Sequence, residues 1–302
     1  MRGQTALVAT PGGHIDELHE VAGRWGVENR FWITAATPQT SSMLAGEDVE
    51  WVRAVGARQA WQAGVSLAGA LRIMRRRQPG QVVSTGAALA VPYLLAARAL
   101  RIPVTYIESA TRFDGPSITG QIMERTPGAR LLSQAPWPDR PRWGDFGSIF
   151  DSFASRSAQV QPVRSAVVTV GSERFPFSRA IDLARAGLPT ARIRWQTGHT
   201  EVDPDLPGEH RRWWPAAELA AAVQEADLLI THAGVGSILT ALRLGTCPVV
   251  LVRRAEDGEH IDDHQVQLAA ALEARDLIAV AHSHDDFADA VERAMSRRIV
   301  RT

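Results

Sequence analysis

The chain has 302 residues, with 33 Lys and Arg balanced by 33 Asp and Glu and 45% apolar residues. This is the composition of a globular chain long enough for two cores of ordinary size, and its zero net charge removes the electrostatic case for a dedicated nucleic-acid binder. The single cysteine, Cys247, excludes an internal disulfide and suits a reducing compartment; no apolar run reaches the roughly 20 residues of a membrane span, so any membrane contact is expected to be peripheral.

The N-terminus reads as a first strand at 5–9 rather than as a charged-then-apolar leader. Residues 16–25 carry helical spacing through Leu18, Val21 and Ala22. A strand is predicted at 30–35, a helix at 63–76, a strand at 81–84, a helix at 91–100 with Pro92 in its first turn, and a strand at 103–108. Arg72, Arg75, Arg76 and Arg77 crowd the end of the 63–76 helix. The plain reading is a solvated helix end, and the functional one is an edge that meets anionic lipid headgroups. Residues 136–162, rich in Pro, Asp, Ser, Arg and aromatics with little periodicity, read as an interdomain connection. Beyond it, strands at 165–170, 191–196, 227–231, 248–252 and 277–280 alternate with helices at 179–186, 216–225, 237–244, 263–273 and 286–295. Such alternation predicts α/β domains with parallel sheets and crossover helices, divided at 1–150 and 151–302.

In open α/β sheets ligands sit beyond the carboxyl ends of the strands, and five marked loops fall there. Thr10-Pro11-Gly12-Gly13-His14 follows the first strand; its glycines let backbone N–H groups approach an anion, and His14 opens the next helix as either a general base or a phosphate ligand. Thr231-His232-Ala233-Gly234-Val235-Gly236-Ser237 links a strand to a helix and has the makings of a diphosphate cradle, although Ser237 alone reads equally as an N-cap. Gly171-Ser172 is a simple turn or a further part of that cradle. Gln196-Thr197-Gly198-His199 and the stretch from Arg253-Arg254 through Gly258-Glu259-His260 to Asp263-His264-Gln265 complete the set. His264 and Gln265, in a first helical turn, suit hydrogen bonds to sugar hydroxyls or a capping role. His260 and His264 stand four apart with Glu259 and Asp263 beside them, yet the order of a His-Glu-x-x-His zinc helix is absent, and no metal is expected. No nucleophile constellation is recognisable.

Together these loops resemble a known family. Val167-Val168-Thr169-Val170-Gly171-Ser172, Gln196-Thr197-Gly198, the run from Thr231 to Leu242 and Asp263-His264-Gln265 are similar to the donor-binding domain of MurG-type transferases and of the catalytic subunit of the dolichol-linked UDP-GlcNAc transferase. Gly12-Gly13-His14 with Glu17-Leu18, Ser84-Thr85-Gly86, Tyr106-Ile107-Glu108-Ser109 with Arg112, and Ser117-Ile118-Thr119-Gly120 resemble that enzyme's partner subunit, so the chain is similar to a fusion of the two. The 253–265 stretch is especially like bacterial exopolysaccharide glycosyltransferases of the same group. The resemblance implies a GT-B fold of two Rossmann-like domains facing a central cleft. It implies an inverting, metal-independent hexosyltransferase with a UDP-sugar as co-substrate and no other cofactor, in polysaccharide or glycolipid assembly at the cytoplasmic face of a membrane. It carries phosphate contacts to Gly171, Ser172, Gly234, Gly236 and Ser237, sugar contacts to His264 and Gln265, and the acceptor side to Gly12, Gly13 and His14. Beside these, Thr197, Gly198, His232, Ala233, Glu259 and His260 are read as donor-binding, Arg112 as acceptor-side, and His14 and Glu108 as the catalytic candidates. Relatives often have a ribose-binding glutamate where this chain has Thr240, so ribose binding is expected to be weaker or to come from elsewhere, with Glu259 as a candidate. A UDP-sugar epimerase and a non-enzymatic nucleotide-sugar-binding partner of a separate transferase are the alternatives.

Overall fold

Strand β1 (Thr5–Ala9) is buried along its whole length, as a central parallel strand covered on both faces has to be. In the computed structural model, which describes residues 3–53, 62–171, 175–259 and 264–302, it anchors the first of two units, Met1–Ile149 and Phe150–Thr302. From β1 the chain runs through α1 (Gly13–Arg24), β2 (Arg30–Ala35), α2 (Pro38–Met43), β3 (Val49–Val52), α3 (Gln62–Arg77), β4 (Gln81–Gly86), α4 (Ala90–Ala99), β5 (Val104–Ile107), α5 (Ile118–Glu124), β6 (Ala129–Ser133) and β7 (Trp143–Asp145). All seven strands pair in parallel in the order β3-β2-β1-β4-β5-β6-β7. The order reverses between β1 and β4, and ligands in such sheets bind at that switch point.

The second unit opens with a 3₁₀ turn running into β8 (Phe153–Ser157). There follow β9 (Ser165–Thr169), α6 (Ser178–Gly187), β10 (Arg192–Gln196), β11 (Glu209–Arg211), α7 (Ala216–Glu225), β12 (Leu228–His232), α8 (Val235–Arg243), β13 (Val249–Leu251), α9 (His264–Glu273), β14 (Ala279–Ala281), α10 (Phe287–Met295) and β15 (Arg297–Arg301). Its parallel sheet has the order β11-β10-β9-β12-β13-β14, with the switch point between β9 and β12. β15 pairs antiparallel with β8, so the last residues of the chain close onto the first strand of their own unit.

The stretch 136–162 is therefore not a bare connection: it supplies β7 and β8. Its aromatic residues, which blur any periodicity, are packing groups. Trp143 is buried and meets Tyr106 and Trp137 edge-on at 5.9 and 4.9 Å, while its Nε1–H donates to Glu124. The arginine cluster divides. Arg76 and Arg77 pair with Glu50 at 2.6 and 3.3 Å, and Arg77 also with Asp48, whereas Arg72 and Arg75 are exposed. Among the described residues no helix is long and apolar enough to cross a membrane.

The β8–β15 ribbon is held to its unit by the side chain of Ile299, which is 2% exposed. Ile299→Ala is expected to lower unfolding stability by about 2–5 kcal/mol, read as a shifted denaturant midpoint at unchanged slope.

Candidate active site

At the first switch point, β1 ends in Thr10-Pro11-Gly12 and α1 begins at Gly13. Gly12 takes φ +95°, a conformation open to glycine and strained for other residues, and this turns the chain sharply into the helix. His14, in the first turn, is clasped by Thr85 at the end of the neighbouring strand β4. Its Nδ1 lies 2.9 Å from the Thr85 carbonyl, and the Thr85 hydroxyl donates to the His14 carbonyl at 2.6 Å. A carbonyl only accepts, so Nδ1 carries the proton and Nε2 keeps its lone pair. Burial holds the His14 pKa below the ordinary histidine value; the Thr85 bond opposes this, and the charge of Arg112 adds to it. The imidazole is thus kept neutral, in the tautomer a general base needs.

Around it lies a network of buried acids. Glu17, one turn after His14, is 1% exposed and accepts from Ser109 Oγ at 2.7 Å, the Ala110 amide at 3.2 Å and Gln134 Nε2 at 3.1 Å. Burial, reinforced by the negative charge of Glu108, pushes its pKa up to about 8. Glu108, expected beside His14 as a catalytic group, has another task. Its two oxygens accept from Tyr106 Oη, the Ser109 amide, the Ser117 amide and Ser117 Oγ at 2.9–3.1 Å, which uses all its lone-pair directions. It braces the loop that leads into α5. Gly120 is packed so closely on it that a Cβ there would lie 2.2 Å from its Oε2.

At the second switch point three strand ends meet. His232, the last residue of β12, lays its imidazole between two glycines: a Cβ on Gly171 would come within 2.3 Å of the ring, and one on Gly234 within 2.2 Å. A Cβ on Gly198, after β10, would sit 2.4 Å from the Gly171 carbonyl. Gly171 and Gly198 also take positive φ, +79° and +56°. Gly171 and Gly234, expected to cradle phosphate, thus have a packing reason as well: they admit His232. Thr197 is buried, its amide donating to the Arg211 carbonyl, and Ala233 is buried beside His232.

Helix α8 starts at Val235, two residues earlier than the sequence suggests, with Gly234 as N-cap. Ser237 is therefore not the cap but lies within the first turn. The first bond of the helical ladder is from the Ile238 amide to the Gly234 carbonyl, which leaves the amides of Val235, Gly236 and Ser237 without helical acceptors. They add to the positive end of the helix dipole, a ready anion site. The Thr240 hydroxyl donates back to the Gly236 carbonyl at 2.9 Å and so stays with the helix.

Glu259, the expected substitute at the ribose, is 6% exposed and doubly bonded to Arg179, Oε1 to Nε at 3.1 Å and Oε2 to Nη2 at 2.8 Å, with the Arg254 amide also donating to it. It closes the loop before α9. In the first turn of α9, Gln265 is 7% exposed and its buried Oε1 has no hydrogen-bond partner among the described residues. Ser172, His260 and Asp263 lie outside the described residues, as does the side chain of His264. Thr85, Glu17, Arg179 and Arg253 carry no sequence signal of their own beyond the neighbouring motifs.

Residues 165–298 match the model of the glycosyltransferase family 28 C-terminal domain. A UDP-N-acetylglucosamine–N-acetylmuramyl-(pentapeptide) pyrophosphoryl-undecaprenol N-acetylglucosamine transferase of Methylococcus capsulatus is 28% identical, over 88% of this chain and 80% of that protein. The UDP-N-acetylglucosamine transferase subunit ALG13 of Yarrowia lipolytica is 44% identical over 55 residues, 18% of this chain and 26% of that one. In fold, the chain is similar to the crystal structure of MurG from Acinetobacter baumannii, with TM-score 0.59 at 17% identity over 98% of this chain and 94% of that one.

Two expectations follow from the packing and the buried acid. Gly234→Ala should cost about 1–3 kcal/mol by overpacking, and most of that cost should vanish in a His232→Ala background, measured as a double-mutant cycle. Glu17 keeps its proton in the fold to about pH 8, so its contribution to stability is complete below its unfolded pKa and is lost as pH rises toward 8, by at most about 1.4 kcal/mol per unit. Glu17→Gln should flatten that limb of the stability–pH curve in chemical denaturation.

Proposed function

We propose that this chain, a glycosyltransferase of the GT-B fold that resembles MurG, moves a hexose-type sugar from a UDP-sugar to an acceptor hydroxyl. The transfer inverts the anomeric carbon and needs no divalent cation. The observation that carries the reading is the set of amides opening α8, presented at the switch point of the second sheet beside the glycine-flanked His232. In the reaction the acceptor oxygen forms a bond to the anomeric carbon while the bond from that carbon to the β-phosphate oxygen breaks. The electron pair leaves with UDP. Donors fixed before the reaction, aimed where that charge collects, stabilise it more effectively than water, which has to reorganise.

The acceptor proton goes to His14 Nε2, the nitrogen that the Thr85 carbonyl leaves unprotonated. Gln265, whose Oε1 has no partner among the described residues, is the hydrogen-bonding group for a sugar hydroxyl. The names of the relatives make N-acetylglucosamine the sugar and a pyrophosphoryl-polyprenol-linked saccharide the acceptor of first choice. The chain then serves polysaccharide or glycolipid assembly at the cytoplasmic surface of a membrane, held there through its acceptor.

His14→Ala should lower kcat by about 10²–10⁴-fold while calorimetric UDP affinity stays within about twofold, since UDP is held by the other unit. In the wild type the acid limb of kcat/KM should lie below the ordinary histidine range, because the His14 pKa is depressed. Undiminished turnover in the alanine variant takes His14 out of the mechanism; failure of UDP to bind the wild type removes the donor reading.

A further inference from the structure

Arg253 is the first residue past β13 and its neighbour Val252, and it is 0% exposed. Burying a guanidinium is unfavourable unless its donors are matched, and here they fan out to backbone carbonyls on two loops. Nη1 donates to Phe175 O at 2.8 Å, Glu259 O at 2.9 Å and Pro176 O at 3.4 Å, and Nη2 donates to Val170 O at 2.7 Å. The guanidinium also lies 4.6 Å from the centre of the buried Phe177 ring, which Arg179 approaches to 5.2 Å. A peptide unit is planar. Fixing the Val170 carbonyl therefore fixes the direction of the Gly171 N–H, and fixing the Pro176 carbonyl fixes that of Phe177, which donates to Thr200 Oγ1 at 2.9 Å. Arg253 thus holds both ends of the β9–α6 loop, and through Glu259 O it holds the loop before α9. The Arg179–Glu259 pair is a second clasp between the same two segments.

From this geometry we infer that Arg253 is the positioning residue of the donor side: it sets the Val170–Gly171 peptide, with Gly171 against His232, and the 175–177 segment in the form that accepts the nucleoside diphosphate. It touches no substrate. The inference rests on the donor reading above for its ligand, but the ordering of these two segments is a property of the free protein. If they hold the competent form for only a fraction of the time, the apparent donor affinity falls by that fraction, while the bound complex reacts as before. The mark of such a residue is a raised donor KM at preserved kcat.

Arg253→Lys keeps the charge but offers one nitrogen where four carbonyls have to be reached. In the unliganded variant the amides of Gly171 and Phe177 should exchange hydrogen about tenfold faster than in the wild type. UDP Kd and UDP-sugar KM should rise about tenfold, with kcat at saturating donor and acceptor KM unchanged within about twofold. Wild-type exchange together with a wild-type donor KM in the folded variant overturns the inference, as does a loss of kcat at constant donor KM. Absence of UDP binding by the wild type defeats the donor reading instead, and the exchange comparison then still decides the role of Arg253. Should the lysine variant not fold, Thr200→Val frees the Phe177 N–H of the peptide that Arg253 pins. It should give the same pattern at about threefold; wild-type exchange and donor KM there count against the inference.

Discussion

The imidazole of His232 occupies space that side chains at Gly171 and Gly234 would need, and the switch point of the second sheet depends on those missing side chains. Gly171 and Gly234 face the ring from the ends of β9 and β12, and Gly198 completes the contact by lying against Gly171. The ring thereby locks Gly171, just past β9, to Gly234, just past β12, and the two strands are already paired side by side. That lock decides where the chain enters α8, and so where its first amides point. Interiors of this density do not yield smoothly, so a methyl group at either glycine acts on the helix start and on the ring together.

The two units reach a similar end by opposite electrostatic means. In the first, the groups around the switch point are buried acids and a neutral histidine, braced by hydroxyls and amides; burial moves Glu17 and Glu108 toward their protonated forms and His14 toward its unprotonated one. Each shift favours the neutral form of its group, while Glu108, although burial raises its pKa, still accepts four hydrogen bonds. In the second, a fully buried cation, Arg253, donates from its two terminal nitrogens to main-chain carbonyls, and the nearby Arg179 is matched by the buried Glu259. The charges of that unit serve to hold its loops.

Much of this was legible in the residues, and the parts that were not share a cause. The strands at 5–9 and 30–35 and the helix at 216–225 have the bounds their patterns predict, because each carries a long apolar run or a full amphipathic repeat within its own segment. β3, β6, β7, β8, β11 and β15 have three to five residues each, and α2 and α5 scarcely two turns, too short for a period to register. β8 also takes its partner from the other end of the unit, at β15, and no local pattern encodes such a pairing. At the site, Gly12-Gly13-His14 and the glycine loop after β12 announce themselves, because close backbone approach demands a residue type. Thr85, Glu17 and Arg253 stand within sequence motifs too, yet their tasks do not show there: which group a polar side chain bonds is specified by where the rest of the chain passes. The same blindness explains Glu108 and Glu259, which read as free carboxylates and are bracing groups.

This division of labour bears on how the proposed leaving group is handled. If Arg253 or Arg179 faced the diphosphate, the products would be UDP held by full positive charge, and its departure would be slow at the affinity such pairs confer. With both arginines committed to the scaffold, what remains at α8 is a set of partial charges on Val235, Gly236 and Ser237, strong enough in a water-poor site to favour charge as it develops and weak enough to let the nucleotide go. A buried arginine that grips carbonyls and a row of amides without helical acceptors are on this argument two halves of one arrangement: the first holds the segments it bonds, and the second needs that rigidity, because dipoles stabilise a transition state only when they are already aligned.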